Sequence, residues 1–240
     1  MPPKARYKRV LVKLSGESLC SPGGFGIEAP AVSSVVDEIL PVLEMGIELA
    51  LVIGGGNFVR GRDFGPDSAV QPTTADYMGM LATVINALAL QDVLESRDVP
   101  TRVLGAIAMA EVCEPFIRRR AVGHLEKGRL IILAGGTGRP FFTTDTCAAL
   151  RANEIGAEVL LKATKVDGVF DSDPEKNPSA KRYASLTYRQ VLADRLGVMD
   201  LAAISMCMDS RIPVVVFALA ESGNLAAVVQ GADIGTRISD

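Results

Sequence analysis

The sequence predicts an α/β sandwich built on a mainly parallel sheet. Apolar runs of strand length recur along the chain, as RVLVKL, IELALVIGG, TRVLGAI, RLIILAGG, AEVLLKA and IPVVVFAL. Helix-like segments alternate with them, which is the pattern of β-α units with parallel strands. The runs are continuous rather than alternating, as in strands covered on both faces.

The first strand, RVLVKL, meets Lys13 and then Ser15-Gly16, which turn the chain and leave backbone N–H groups unpaired. A fixed ammonium beside free N–H donors suits a phosphate. A lysine snorkelling out at a strand edge would read the same way, and both readings stay open. SPGGFG, 21 to 26, reads as a mobile loop. Residues 31 to 45 have helical apolar spacing despite Pro41. The second strand ends in Gly54-Gly55-Gly56-Asn57. Residues 75 to 97 predict a long, mostly apolar helix that crosses the core or an interface, with Asp76 at its opening and Met78 and Met80 as core filler. Arg118, Arg119 and Arg120 read as a solvated helix face, and His124 near its end as structural. RLIILAGG runs into Gly135-Gly136-Thr137-Gly138. The segment 144 to 158 opens on a Thr/Asp cap signal and stops near Gly156. AEVLLKA carries Lys162. Residues 171 to 183, with Pro174 and Pro178, are the most loop-like stretch and mark no clean boundary. With no repeat and no linker, residues 1–240 read as a single domain.

Composition narrows the function classes. A chain of 240 residues, 48% hydrophobic and 22% charged, is ordinary for a globular domain with a sizeable core. A net charge of −3 gives no case for nucleic acid as the main partner. Cys20, Cys113, Cys147 and Cys207 lie far apart and there is one histidine, so no zinc site of usual spacing is expected, and the metal-ligating set is empty. Unpaired cysteines suit a reducing compartment, and the expected location is the cytoplasm. No run of 18 uninterrupted apolar residues occurs, so no membrane partner is expected. The basic start MPPKARYKRV reads as a solvated tail without a signal core.

Glycine-rich turns follow three strands, and ligands of open α/β sheets bind outside the carboxyl ends of strands. Together the turns would make a platform for oxyanions. Neither GxxxxGK[ST] nor GxGxxG opening a helix is present. Arg60, Asp76, Asp145 and Lys162 stand beside these turns or the helix starts that face them. Phosphoryl transfer needs such a mixture: cations on the transferring group, N–H donors on its oxygens and a carboxylate to orient the cations.

At KLSGE, VIGGGN, TGRPFFTTD, LKATKVDGVF and VMDLAA the chain resembles the bacterial uridylate kinases of the amino acid kinase superfamily, from about Tyr7 to the C-terminus. The resemblance implies a three-layer α/β/α fold, with an N-terminal acceptor lobe and a C-terminal ATP lobe. It implies phosphorylation of UMP by ATP with Mg²⁺ in pyrimidine nucleotide biosynthesis, in a homohexamer, with UTP as a candidate inhibitor. By the resemblance Lys13, Leu14, Ser15, Gly16, Gly56 and Arg60 contact ATP phosphates, and Thr164, Phe170 and Asp173 its nucleoside end. Gly55, Asp76, Thr137, Gly138, Arg139, Pro140, Phe141, Phe142, Thr143 and Thr144 contact UMP. Asp145 organises the active-site lysines, Lys162 is the second of them, and Asp200 supports the site. A regulatory segment falls at 21 to 26. GTP activation is expected to be weak or absent, because Gln91 stands where an arginine occurs in family members and Glu95 adds an acid, although Arg102 and Arg129 match.

Two physical readings stand beside the resemblance. Like-charge repulsion keeps Asp76 off a phosphate, so ribose hydroxyls are its natural partners. Phe141-Phe142 suits a wall beside a base or simple core packing. The rival functions are a carboxylate or carbamate kinase of the same superfamily and a non-catalytic nucleotide-binding regulator.

Overall fold

The computed structural model describes residues 5–59, 64, 68–174 and 176–240. Its main strands are β1 (Arg9–Leu14), β2 (Glu48–Ile53), β3 (Thr101–Gly105), β4 (Glu114–Pro115), β5 (Leu130–Ala134) and β6 (Val159–Thr164). A small antiparallel pair, β7 (Val169–Phe170) with β8 (Arg182–Tyr183), precedes β9 (Ser185–Leu186), β10 (Val214–Ala218) and β11 (Thr236–Ile238). The large sheet has the order β4-β3-β5-β2-β1-β6-β10-β11-β9, and every pairing in it is parallel except β10 with β11.

The helices are α1 (Ala29–Leu43), α2 (Pro72–Glu95), α3 (Arg118–Leu125), α4 (Thr144–Ile155), α5 (Tyr188–Ala193), α6 (Leu201–Ser210) and α7 (Asn224–Gln230). They form a layer on each side of the sheet. Side chains alternate along a strand, so Val10, Val12 and Leu14 of β1 join the core under α1, α2 and α7. Leu11 joins the core under α3, α4 and α6. The expected three-layer α/β sandwich is the observed fold.

Boundaries moved where a local signal outweighed periodicity. The long helix starts at Pro72 rather than beside Asp76, because proline at the first helical position lacks only a donor that would be unpaired anyway. Asp76 therefore lies inside the helix and does not open it. Gly156 ends α4 in a left-handed conformation, φ 69°, as expected. The helix α1 tolerates Pro41 in its last turn, where the ring points to solvent. The short strands β4, β9 and β11 escaped prediction because two or three residues show no period.

Candidate active site

Lys13 of β1 and Lys162 of β6 are register partners on adjacent parallel strands. Both follow the alternation that points Leu11 and Leu160 toward the α4 layer. The strand β1 lies in the middle of the sheet, between β2 and β6, so Lys13 cannot snorkel at an edge. Its side chain is 13% exposed and that of Lys162 is 14% exposed. Two ammonium groups side by side in a buried sheet repel each other.

Asp145 answers that repulsion. It sits in the first turn of α4, with Oδ1 at 2.9 Å from Lys13 Nζ and Oδ2 accepting a hydrogen bond from Lys162 Nζ at 2.6 Å. The Lys13 contact is a charge contact without hydrogen-bond alignment. Burial would raise the Asp145 carboxyl, but the Lys13 and Lys162 charges outweigh it and hold the group below the ordinary 3.8. Burial pulls the Lys162 ammonium below the ordinary lysine value, against the opposing pull of Asp145. Lys162 also donates to the Val198 carbonyl.

Asp145 is free for this role because another residue caps the helix. Thr143 Oγ1 accepts from the backbone N–H of Asp145 at 3.0 Å and of Thr146 at 3.2 Å. Thr143 in turn donates to Asp200, which also accepts from Thr146 Oγ1 at 2.7 Å and caps α6 through Ala203 N at 2.9 Å. Asp200 thus ties the starts of α4 and α6 together.

The glycine turns of β1, β2 and β5 lie on three adjacent parallel strands at one edge. Gly16 approaches the second turn so closely that a Cβ there would stand 2.4 Å from Asn57 Oδ1 and 2.5 Å from the Gly54 carbonyl. No other residue fits that position. Leu14 has its side chain in the core and its carbonyl bonded to Gly54 N, so it offers the edge little.

Two cavities adjoin the Lys13–Asp145–Lys162 cluster, one through Lys162 itself and the other through Thr144, the neighbour of Asp145 in the chain. One, about 510 Å³, is lined by Lys162, Thr164, Phe170 and Asp173 among others. The other, about 250 Å³, is lined by Gly55, Asp76, Gly136, Arg139, Phe142 and Thr144 with their neighbours. Three of the residues expected at the ATP end line the first and five of those expected at the UMP end line the second, while the other described ones line neither. Asp76 Oδ2 accepts from Phe141 N at 2.8 Å, across from α2 to the loop before α4. Phe141, with φ 69°, is 76% exposed and Phe142 is 53% exposed, so core packing does not explain the pair. Thr137 Oγ1 bonds within its own turn, accepting from Arg139 N and donating to Arg139 O, and Gly138 closes the same turn. Pro140 is half-buried and Ser15 Oγ accepts from Glu17 N. Arg60 lies outside the described residues.

Elsewhere the expectations divide. The loop at 21 to 26 is tied at its end, with Gly26 N donating to Asn57 O at 2.9 Å and Asn57 Nδ2 donating to Gly26 O at 2.7 Å. Arg118, Arg119 and Arg120 are exposed on α3, as a solvated face would be. His124 is buried between Glu114, 3.3 Å from Nε2, and Arg129, which donates to Nδ1 at 3.1 Å. Met80 fills the core while Met78 is exposed. Glu95 pairs with Arg102 at 3.0 Å, and Gln91 donates to the Thr101 carbonyl at 3.2 Å. Among the described residues, no group of three or more His, Cys, Asp and Glu side chains could hold a metal ion. All four cysteines are buried free thiols.

A parallel sheet that spends two buried lysines and three glycine turns on one edge belongs to the phosphate-handling α/β proteins. More narrowly, the chain belongs to the amino acid kinase family, whose model matches residues 8–218. The structure superimposes on that of UMP kinase from Bacillus anthracis with a TM-score of 0.92 at 41% identity, covering 98% of this chain and 96% of that one. UMP kinase from Ureaplasma parvum gives 0.91 at 33% identity, covering 98% and 100%. Uridylate kinase from Archaeoglobus fulgidus gives 0.74 at 28%, covering 96% and 99%.

The buried cluster sets a pH-dependent stability. Asp145→Asn strands two buried ammonium groups, and losing one partner of a buried ion pair costs roughly 3–5 kcal/mol. Because the folded carboxyl lies below the ordinary 3.8, its contribution is complete above that value and is lost as pH falls through the folded one. Urea unfolding of both proteins from about pH 7 to about pH 2 should show a gap that closes only in acid. A gap of the same size throughout would remove the ion pair as its cause.

Proposed function

We propose that this chain is a UMP kinase, transferring the γ-phosphoryl group of ATP to UMP to give UDP and ADP. The observation that carries the reading is the Lys13–Asp145–Lys162 cluster, with one cavity lined by Lys162 and a second by Thr144 beside Asp145, in a chain 41% identical to the UMP kinase of B. anthracis over 98% of its length.

The larger cavity takes ATP, with Thr164, Phe170 and Asp173 at the nucleoside end. The smaller takes UMP, with Gly55, Asp76 and Arg139, while Phe141 and Phe142 offer exposed rings to the base. Thr143 supports the acceptor side as a helix cap rather than through a free hydroxyl. A UMP phosphate oxygen attacks the γ-phosphorus as its bond to the β-bridging oxygen breaks. That nucleophile is already ionised, so Asp145 acts on the lysines and not as a general base. Lys13 and Lys162 offset the charge that shifts onto the equatorial and leaving oxygens. The donor set fits a Mg²⁺ that arrives with ATP, because Asp145 is committed to two lysines and such an ion needs few protein ligands. When bound it neutralises phosphate charge.

The chain acts as one domain, with acceptor elements around β1, β2 and β5 and nucleotide elements around β6 and β10. It self-associates as a homohexamer, a reading supported by Tyr77, Met78, Leu81 and Ile85, an exposed apolar stripe on α2. Light scattering should give several times the 25.4 kDa chain mass, and a monomer would contradict it. Four buried free thiols support a reducing compartment, the cytoplasm. UTP is a candidate inhibitor, and the Glu95–Arg102 pair leaves GTP a weak activator or none.

ADP release should be specific to UMP among UMP, CMP, N-acetylglutamate and carbamate. Release with either of the last two would select the carboxylate or carbamate kinase, and release with none the regulator. Lys13→Ala should lower kcat by roughly 10²–10³ with little change in UMP affinity. Near-normal turnover would take Lys13 out of the mechanism.

Asp76 spends one oxygen on Phe141 N, and its other oxygen accepts from the ribose. A hydrogen bond to a charged group contributes roughly 1.5–3 kcal/mol, so UMP should exceed dUMP by about 10–100-fold in kcat/KM. Asp76→Ala releases Phe141 and slows both acceptors, so the ratio carries the test. It should shrink toward one. An unchanged ratio would confine Asp76 to holding Phe141.

A further inference from the structure

The three glycine turns come from separate strands, yet two of them are held by one helix and the first packs on the second. Along α2, Thr83 is 2% exposed and Asn86 is fully buried, two polar residues in an otherwise apolar face. Thr83 Oγ1 donates to the Met80 carbonyl at 2.7 Å and accepts from Gly135 N at 2.8 Å, which holds the third turn. Met80 itself lies against Gly136, where a Cβ would come within 3.3 Å of its Cγ.

Asn86 holds the second turn. Its Nδ2 donates to the Gly54 carbonyl at 2.8 Å and to Asn57 Oδ1 at 2.8 Å, and its Oδ1 accepts from Asn57 Nδ2 at 2.9 Å. Both donors of each amide are used, since Asn57 Nδ2 also donates to Gly26 O. Gly55 packs on the same helix so tightly that a Cβ would stand 2.5 Å from the Gly79 carbonyl. The first turn follows from the second, because Gly16 abuts Asn57 Oδ1 and Gly54 O. A buried, fully paired network of this kind has one low-energy arrangement.

We propose that Thr83 and Asn86 are positioning residues for phosphoryl transfer, through which α2 sets the placement of all three glycine turns relative to one another. The inference rests on the kinase reading above and deepens it. Asn86 lines neither cavity, and Thr83, which borders the smaller one, has its hydroxyl committed to the Met80 carbonyl and Gly135 N. Each acts through backbone groups of a turn, and a misplacement near 1 Å at such a site costs about 10² in rate. Tyr77, Leu81 and Ile85 lie on the opposite face of the helix, so the turns and the exposed stripe share one rigid element.

The test compares Thr83→Val, which keeps the shape and removes the hydroxyl, with Thr83→Ser, which keeps the hydroxyl, and adds Asn86→Ala. ADP release is measured with UMP and MgATP, per mole of protein shown folded by circular dichroism at the assay temperature. Thr83→Val and Asn86→Ala should lose roughly 10–100-fold in kcat with KM for each substrate within about threefold, and Thr83→Ser should stay near wild type. Folded Thr83→Val with kcat within about twofold of wild type, or Thr83→Ser as slow as Thr83→Val, overturns the proposal. If Asn86→Ala does not fold, the Thr83 pair alone decides. Wild type without activity on UMP would instead overturn the kinase reading, and the two failures are distinct.

Discussion

Two lysines in register on neighbouring strands, about 4.8 Å apart along the hydrogen-bonding direction, cannot share a buried sheet without a counter-charge between them. One carboxylate meets both. Asp145 has this position because α4 starts against the carboxyl edge of β1 and β6, and α4 starts there because Thr143 caps it. Asp200 then fixes Thr143 and Thr146 while capping α6, so two helices and two strands converge on one ion cluster. The cluster carries two positive charges against one negative, and a bound phosphate chain would complete it.

The same logic of one element serving several sites holds on the other face of the sheet. The helix α2 is apolar enough over 24 residues to resemble a membrane span in composition, and its hydrophobic residues lie all around it. One side is buried on the sheet and carries Thr83 and Asn86 to the glycine turns. The other presents Tyr77, Met78, Leu81 and Ile85 outward. Asp76, near its start, reaches across to Phe141 N and sets the exposed aromatic pair beside the smaller cavity. The smaller cavity therefore takes much of its lining from one helix.

Strands with continuous apolar runs were legible in the sequence because burial on both faces leaves no other composition possible, as in Leu49 to Ile53. Lys13 and Lys162 were legible as exceptions to those runs. Their pairing in register was not, because register is a long-range property that neither strand encodes alone. Thr143 read as one of ten acceptor residues, and only the hydrogen bonds identify it as the cap that frees Asp145. Thr83 and Asn86 left a signal that went unused: two polar residues three apart on an apolar helix share a face and need partners there.

The central claim is that Asp145 permits the two lysines to coexist, and a stability cycle tests it most directly. Urea unfolding at neutral pH compares wild type, Asp145→Asn, Lys162→Met and the double variant. Removing Lys162 should relieve the repulsion that Asp145→Asn exposes, so the double variant should be less destabilised than the sum of the singles by roughly 0.5–3 kcal/mol. Losses that simply add would show that Asp145 and Lys162 act independently, and would contradict the cluster as the organising interaction of the site.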